Sequence, residues 1–282
     1  MNRLRSLRRV KLDLWEAALI AILAGVAGLT FSRREVESRP PDREAAYFHK
    51  RYGPEHASED VEEWVIRHFF NDRREGFFVE VGANHYRTLS KTWFLETRLD
   101  WSGIAVEPLQ AFEADYLKHR PRTRFFPLFV GDRSDETAQL FVLSRATAVA
   151  SSREDFVRQF GTPDRVLTVP TITMNDLLDK AKVTTIDFLS MDIELHEPKA
   201  LAGFDIERFK PTLVCIEGLL PVRQPILNYF AQHGYVLNGR YLRADRENLY
   251  FIPLALALSR QLNDDGSQDS GTGAVEATPP IQ

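Results

Sequence analysis

Apolar runs of strand length alternate with segments of helical spacing through the middle of the chain. "GFFVEVGAN", "WSGIAVEPL", "TRFFPLFVGD", "AQLFVLS", "IDFLSMDIE" and "PTLVCIEG" predict strands. Between them, "LSKTWFLETRL", "QAFEADYLKHR", "TMNDLLDKA", "EPKALAGF" and "QPILNYFAQHG" predict helices, with Thr173 placed to cap the third. Upstream, "HASEDVEEWVIRHFF" brings Val61, Trp64, Val65, His68 and Phe69 to one helical face, with Ser58 as its N-cap. "YVLNGRYL" and "ENLYFIPL" close the series as a hairpin-like pair. Runs without alternation, such as "LVCI", suit strands buried on both faces. The alternation predicts βαβ units in a Rossmann-like, doubly wound α/β fold, its sheet mostly parallel with an antiparallel edge. Residues 144–168 carry no interpretable motif.

The two ends break this pattern. Residues 1–13 are basic, and Ala17–Phe31 is an uncharged apolar stretch. That stretch is shorter than the roughly 20 residues of a spanning helix. Lengthened to residues 14–31 it predicts a membrane anchor, ahead of a cleaved signal peptide and of a buried helix. Arginines flank it on both sides, so the positive-inside rule tilts only slightly toward a cytoplasmic N-terminus. Residues 32–46, with Pro40 and Pro41, read as a linker, and residues 47–256 as the folded domain. Residues 257–282 read as a tail, polar and rich in Gly, Ser, Asp and Pro, and expected to be disordered from about residue 262.

Composition narrows the class. The chain has 282 residues, 44% hydrophobic, with a formal net charge of -4, which suits one substantial core and gives no electrostatic footprint for nucleic acid. Its single cysteine, Cys215, sits in an apolar run, so neither a disulfide framework nor a cysteine-rich metal site is expected.

Ligands of open α/β sheets bind beyond the carboxyl ends of the strands. Five predicted strands end on or beside a carboxylate: Glu80, Glu107, Asp132, Asp192 with Glu194, and Glu217. Such an acidic rim is unfavourable unless a cation offsets it. Gly82 allows close backbone approach at the first turn, Glu107 is placed to accept both hydroxyls of a ribose, and Asp132 could take an adenine amino group. A dinucleotide site would need G-x-G-x-x-G, and positions 84, 86 and 87 are Asn, Tyr and Arg. A nucleoside with a sulfonium cation and no phosphate, S-adenosyl-L-methionine, fits better.

"FVEVGAN", "GIAVEP", "FVGD", "TVPTITMNDLL" and "DFLSMDIELHEPKAL", in that order, resemble the FkbM-type methyltransferases over about residues 75–252. The resemblance implies the class I methyltransferase type of fold, S-adenosyl-L-methionine as cofactor, and O-methylation. It carries cofactor binding onto Glu80, Gly82, Ala83, Asn84, Glu107 and Asp132, and the family's D-V-E-G-x-E segment onto Asp192, Glu194 and Glu197. Three positions depart from the pattern: Tyr86 and Leu195 stand where glycine is usual, and Ser190 where lysine is common. The Ser form is similar to the Star-like membrane-anchored branch. It keeps open a non-catalytic scaffold or trafficking protein as the alternative to an enzyme.

Asp192 and Glu194 alternate to one side of their strand, so one of them is expected to act as base or to orient an acceptor hydroxyl, with His196 as a second candidate. The structural alternatives are that Asp192 caps a helix and that Glu194 and Glu197 hold a loop. A metal at Asp192, Glu194, His196 and Glu197 is conceivable, and the reading bets on none. The expected partners are a hydroxyl-bearing small molecule or glycan and a membrane. An active domain should face the cytoplasm, where the cofactor is found. A nicotinamide oxidoreductase is a distant third, disfavoured by the missing glycines.

Overall fold

The computed structural model describes residues 43–268, and the stretch 14–31 lies outside them. No helix among the described residues is long and apolar enough to cross a membrane. They begin with two helices, α1 (Arg43–Tyr52) and α2 (Glu62–Phe70). The Ser58 hydroxyl accepts the N–H of Glu63, so it serves the start of α2 from four residues upstream of Glu62 rather than from the cap position.

Strands β1 (Phe77–Val81), β2 (Ser102–Val106) and β3 (Thr123–Phe126) follow, with α3 (Trp93–Leu99) and α4 (Glu113–His119) as their crossovers. The predicted strand "TRFFPLFVGD" is two strands. Pro127 has no N–H to continue a ladder and restricts the residue before it, so the chain turns there into β4 (Phe129–Val130) of a different sheet. That smaller sheet is completed by β5 (Thr137–Val142) and β6 (Arg165–Ile172), paired antiparallel from Thr137↔Pro170 to Val142↔Arg165. The segment without a motif thus holds a short helix, α5 (Glu154–Val157), and leads into β6.

The chain then returns through α6 (Met174–Lys180), where the Thr173 hydroxyl caps as expected by accepting from the Asp176 N–H. It enters β7 (Phe188–Met191), α7 (Glu197–Ala202), α8 (Ile206–Phe209), β8 (Leu213–Glu217), α9 (Leu220–Gln232), β9 (Tyr235–Leu237), β10 (Asn248–Pro253) and α10 (Leu254–Gln268). The helical bounds of α1 and α10 overlap the stretches assigned to linker and tail: α1 starts at Arg43, and α10 continues past residue 262.

The larger sheet has seven strands in the order β3-β2-β1-β7-β8-β10-β9. Strands β3 to β8 are parallel, and β10 runs antiparallel to both β8 and β9, giving the antiparallel edge. The chain winds outward from β1 through β2 and β3, then comes back to lay β7 on the other side of β1. That reversal makes β1 and β7 the switch point, beyond whose carboxyl ends open α/β sheets form their ligand-binding crevice.

Strand alternation divides the core between two faces. Val79, Val81, Leu189, Met191, Val214 and Ile216 pack toward α6 to α9. Phe78, Phe188, Leu213 and Cys215 pack toward α1 to α3. Glu80 lies on the second face, directly beside Ser190 in register.

Candidate active site

Gly82 begins the turn after β1 with φ +81°, and its N–H donates to the Val106 carbonyl at 2.9 Å. A Cβ there would run into the backbone carbonyl of Asp192. The glycine therefore admits the end of β7 against the first turn. Ala83 is buried, donates its N–H to Val106 and accepts the Tyr116 hydroxyl at 3.1 Å. Asn84 follows at φ +43°, a conformation its side-chain type tolerates.

Glu107 stands just past the end of β2, beside this turn. Its two carboxylate oxygens accept the N–H groups of Asn84 (3.1 Å) and Leu109 (2.9 Å). Burial pushes its carboxyl up to about 7, with the two backbone donors working in the opposite direction. The acid is thus fixed by backbone alone, and each oxygen keeps further acceptor capacity.

Glu80 behaves differently. Its carboxylate is taken up by the Thr92 hydroxyl (2.6 Å), the Lys91 N–H (2.8 Å) and the Ser90 hydroxyl (3.3 Å). It braces the loop that precedes α3, its carboxylate buried among these donors. A second buried network continues the brace. Arg120 donates to Thr92 Oγ1 (2.9 Å), to the Tyr86 carbonyl (2.9 Å) and to Glu96, and Glu96 also accepts the Arg122 N–H at 2.7 Å. Tyr86 turns toward α4 and stacks on His119 with ring centroids 4.6 Å apart, so its ring points to that helix.

The braced loop delivers Lys91. Its Nζ lies 2.6 Å from Asp192 Oδ2 with the lysine side chain only 7% exposed. Burial opposes its charge, but Asp192 and Glu62 hold the ammonium well above the usual lysine range. Sequence reasoning missed Lys91. One signal was available, because a cation just before a helix start opposes the helix dipole and needs a partner elsewhere.

Across the crevice, Asp192 and Glu194 follow β7, and Glu217 ends β8. The three place carboxylate oxygens within 4.8 Å of one another. Burial, then Asp192 and Glu197, push the Glu194 carboxyl well above the usual range. Burial, then Asp192 and Glu194, do the same to Glu217. Glu194 and Leu195 both adopt left-handed backbone, at φ +57° and +71°, where a side chain is strained. The Ser151 hydroxyl, from the segment without a motif, holds this bend by donating to the Glu194 carbonyl at 2.8 Å. Glu197 holds the loop as its structural reading foresaw, since its Oε1 accepts the Ile193 N–H at 3.0 Å.

His196 does not join the carboxylates. Its ring packs edge-on to Phe129, and its Nδ1 lies 3.0 Å from the Ser152 hydroxyl. Burial, then Lys199, lower its imidazolium to about 4, so it is neutral at pH 7 and a weak base. Asp132 follows β4 on the smaller sheet with an exposed side chain and is felt by His196, so the acidic edge of the larger sheet has one member fewer than expected. His196 instead lines a cavity of about 430 Å³ together with Leu195, Ser152, Arg153, Phe141 and Lys199.

The family profile described as "Methyltransferase FkbM domain" matches residues 80–237, more than half of the chain. No curated protein matches. Among solved structures, the chain is similar to a precorrin-6y C5,15-methyltransferase from Geobacter metallireducens GS-15, at TM-score 0.39 and 10% identity over 67% of this chain and 85% of that one. It is also similar to a putative sarcosine dimethylglycine methyltransferase from Galdieria sulphuraria, at TM-score 0.33 and 12% identity over 70% of this chain and 76% of that one.

Proposed function

The chain belongs to the FkbM methyltransferase family, and we propose that it methylates a hydroxyl group on a sugar, glycan or secondary metabolite. Its methyl donor is S-adenosyl-L-methionine, which supplies a methyl group already activated on a positively charged sulfur. The residues present fit that group. Glu107 is a buried carboxylate held by two backbone N–H groups, with spare lone pairs for ribose hydroxyls. The crevice beside it is walled by carboxylates, suited to a cation and unsuited to a pyrophosphate.

The observation that carries the reading is the pairing of two unlike acidic sites across the Gly82 turn. On one side Glu107 stands alone; on the other Asp192, Glu194 and Glu217 gather. The chain's own part in the reaction is to bind, align and deprotonate an acceptor. Glu194 is the base in this reading, because burial and Asp192 raise its carboxyl well above the usual range and so make it a stronger base than an ordinary carboxylate. Asp192, fixed by Lys91, orients the hydroxyl. Leu195 and His196 follow directly on Glu194 and line the cavity of about 430 Å³, which we assign to the acceptor. Arg153 and Lys199 give that cavity a basic rim.

We further place the domain at a membrane, held by residues 14–31, on the cytoplasmic side where the donor is made. Fractionation of cells expressing the full chain or one lacking residues 1–31 tests this. Release of the shorter chain supports it, and equal partitioning refutes it.

The enzymatic reading is tested by Glu194→Gln together with Asp192→Asn. Turnover of a hydroxyl acceptor should fall by about 10²-fold or more, while calorimetry still detects S-adenosyl-L-methionine binding. Undiminished turnover would remove both residues from the chemistry. An intact chain that gives no heat with either the donor or its demethylated product would favour the scaffold.

A further inference from the structure

Sheet order, not sequence, brings Glu217 to Asp192. Strands β7 and β8 are parallel neighbours with Met191 opposite Ile216, so the next residue of each strand meets the other beyond the ladder. Glu194 bends back over them through its left-handed backbone. The three carboxylates offer one oxygen each within a span of 4.8 Å.

Glu217 adds an observation of its own. It is 8% exposed, its Oε2 is sealed from solvent, and that oxygen has no hydrogen-bond partner among the described residues. Buried carboxylate oxygens are ordinarily satisfied, because leaving one unpaired in a low-dielectric setting is costly. Lys91 brings a single ammonium to the group, and its 2.6 Å contact is with Asp192. A positive ligand is what the remaining oxygens lack.

We propose that Asp192, Glu194 and Glu217 form a divalent-cation site at the carboxyl edge of β7 and β8. The donors are oxygens alone, which selects a hard ion of the Mg²⁺, Ca²⁺ or Mn²⁺ kind over zinc or copper. The spacing agrees: opposite oxygens stand about 4 Å apart around Mg²⁺ and about 5 Å apart around Ca²⁺. The site differs from the set conceivable on sequence spacing, since Glu217 enters it while His196 and Glu197 do not. Its role deepens the methyltransferase reading and rests on it: an ion held there would bind the acceptor hydroxyl and lower its pKa, with Glu194 acting as ligand in the loaded site and as base only without the ion.

The test uses the full chain stripped with a chelator. Mn²⁺ is titrated and followed by electron paramagnetic resonance, with and without S-adenosylhomocysteine. One bound ion is expected at up to about 1 mM Mn²⁺, with affinity at least roughly tenfold weaker in Glu217→Gln. The same variant should bind S-adenosylhomocysteine as the wild type does. Mn²⁺ should also raise the wild-type melting temperature and leave that of Glu217→Gln unmoved. No binding, or equal binding by wild type and Glu217→Gln, overturns the site. So does mutual exclusion of Mn²⁺ and S-adenosylhomocysteine, which would make the cluster a subsite for the cofactor's ammonium. Loss of S-adenosylhomocysteine binding with Mn²⁺ binding intact would sink the methyltransferase reading and leave the ion site standing.

Discussion

Lys91 and Asp192, 101 positions apart in sequence, meet at 2.6 Å in the floor of the crevice. The contact joins the loop after β1 to the end of β7, the two segments on either side of the switch in strand order. The resemblance to the family puts a lysine two positions before Asp192, where this chain has Ser190. Here the ammonium arrives from the opposite loop, and Ser190 lies buried beside Glu80.

Lys91→Met is expected to leave Asp192 facing Glu194 and Glu217 without that ammonium. Asp192 is 29% exposed, so the loss should lie below that of a fully buried pair, at about 2 kcal/mol. A double-mutant cycle with Asp192→Asn, read by denaturant unfolding, should return a coupling above about 1 kcal/mol. Additive losses would mean that the contact contributes nothing.

Gly82→Ala should lose at least about 2 kcal/mol, from left-handed strain and collision with the Asp192 carbonyl. Gly234→Ala is its control: φ is +70° there, but no atom of the described residues lies within 4 Å of the added methyl, so about 1 kcal/mol is expected. Equal losses in the two variants would show that the approach of β7 does not require the glycine.

Glu107 should make stability fall with pH. Its carboxyl is raised from 4.5 to about 7 in the folded chain, so folding retains a proton that the unfolded chain releases. That stabilisation is full below pH 4.5 and is lost as pH rises through about 7, amounting to roughly 3 kcal/mol. Glu107→Gln cannot titrate and should flatten the slope in calorimetric unfolding. S-adenosylhomocysteine binding should move the other way, strengthening as the carboxylate ionises to accept ribose hydroxyls. In Glu107→Gln its affinity should be weaker by about tenfold and independent of pH around neutrality. A wild-type affinity that does not change across that range would remove Glu107 from the cofactor site.

Glu96→Gln should be the most destabilising of these substitutions, by about 3 kcal/mol or more, because Arg120 is fully buried and would lose its ionic partner. The loop carrying Lys91 is held by the same arginine, so cofactor affinity should weaken along with the melting temperature. A variant with unchanged stability would show that the Ser90, Thr92 and Tyr86 contacts suffice to fix Arg120.

Strand ends were easy to read and side-chain directions were not. The apolar runs around Val79, Ile104, Leu189 and Val214 gave the parallel strands, and the residues where they stop gave Glu107, Asp192 and Glu217. Glu80 and Glu107 looked alike in sequence, yet one carboxylate is consumed by Ser90, Lys91 and Thr92 while the other keeps acceptor capacity. Asp132 looked like a third strand end because "TRFFPLFVGD" is apolar throughout, and Pro127 moves it to another sheet. His196 follows the acidic pair so closely that sequence spacing grouped them. The left-handed bend at Glu194 and Leu195 turns it toward Ser152 and Phe129.

The amino-acid sequence alone determined the α/β class, the family and the acidic character of the strand ends, because these follow from local periodicity and from which residues punctuate it. Tertiary structure decided which acids share a space, which cation reaches them and which glycine contact is internal. Those depend on strand order and backbone handedness, which bring together residues from β1, β7 and β8 whose separation along the chain carries no record of their contact.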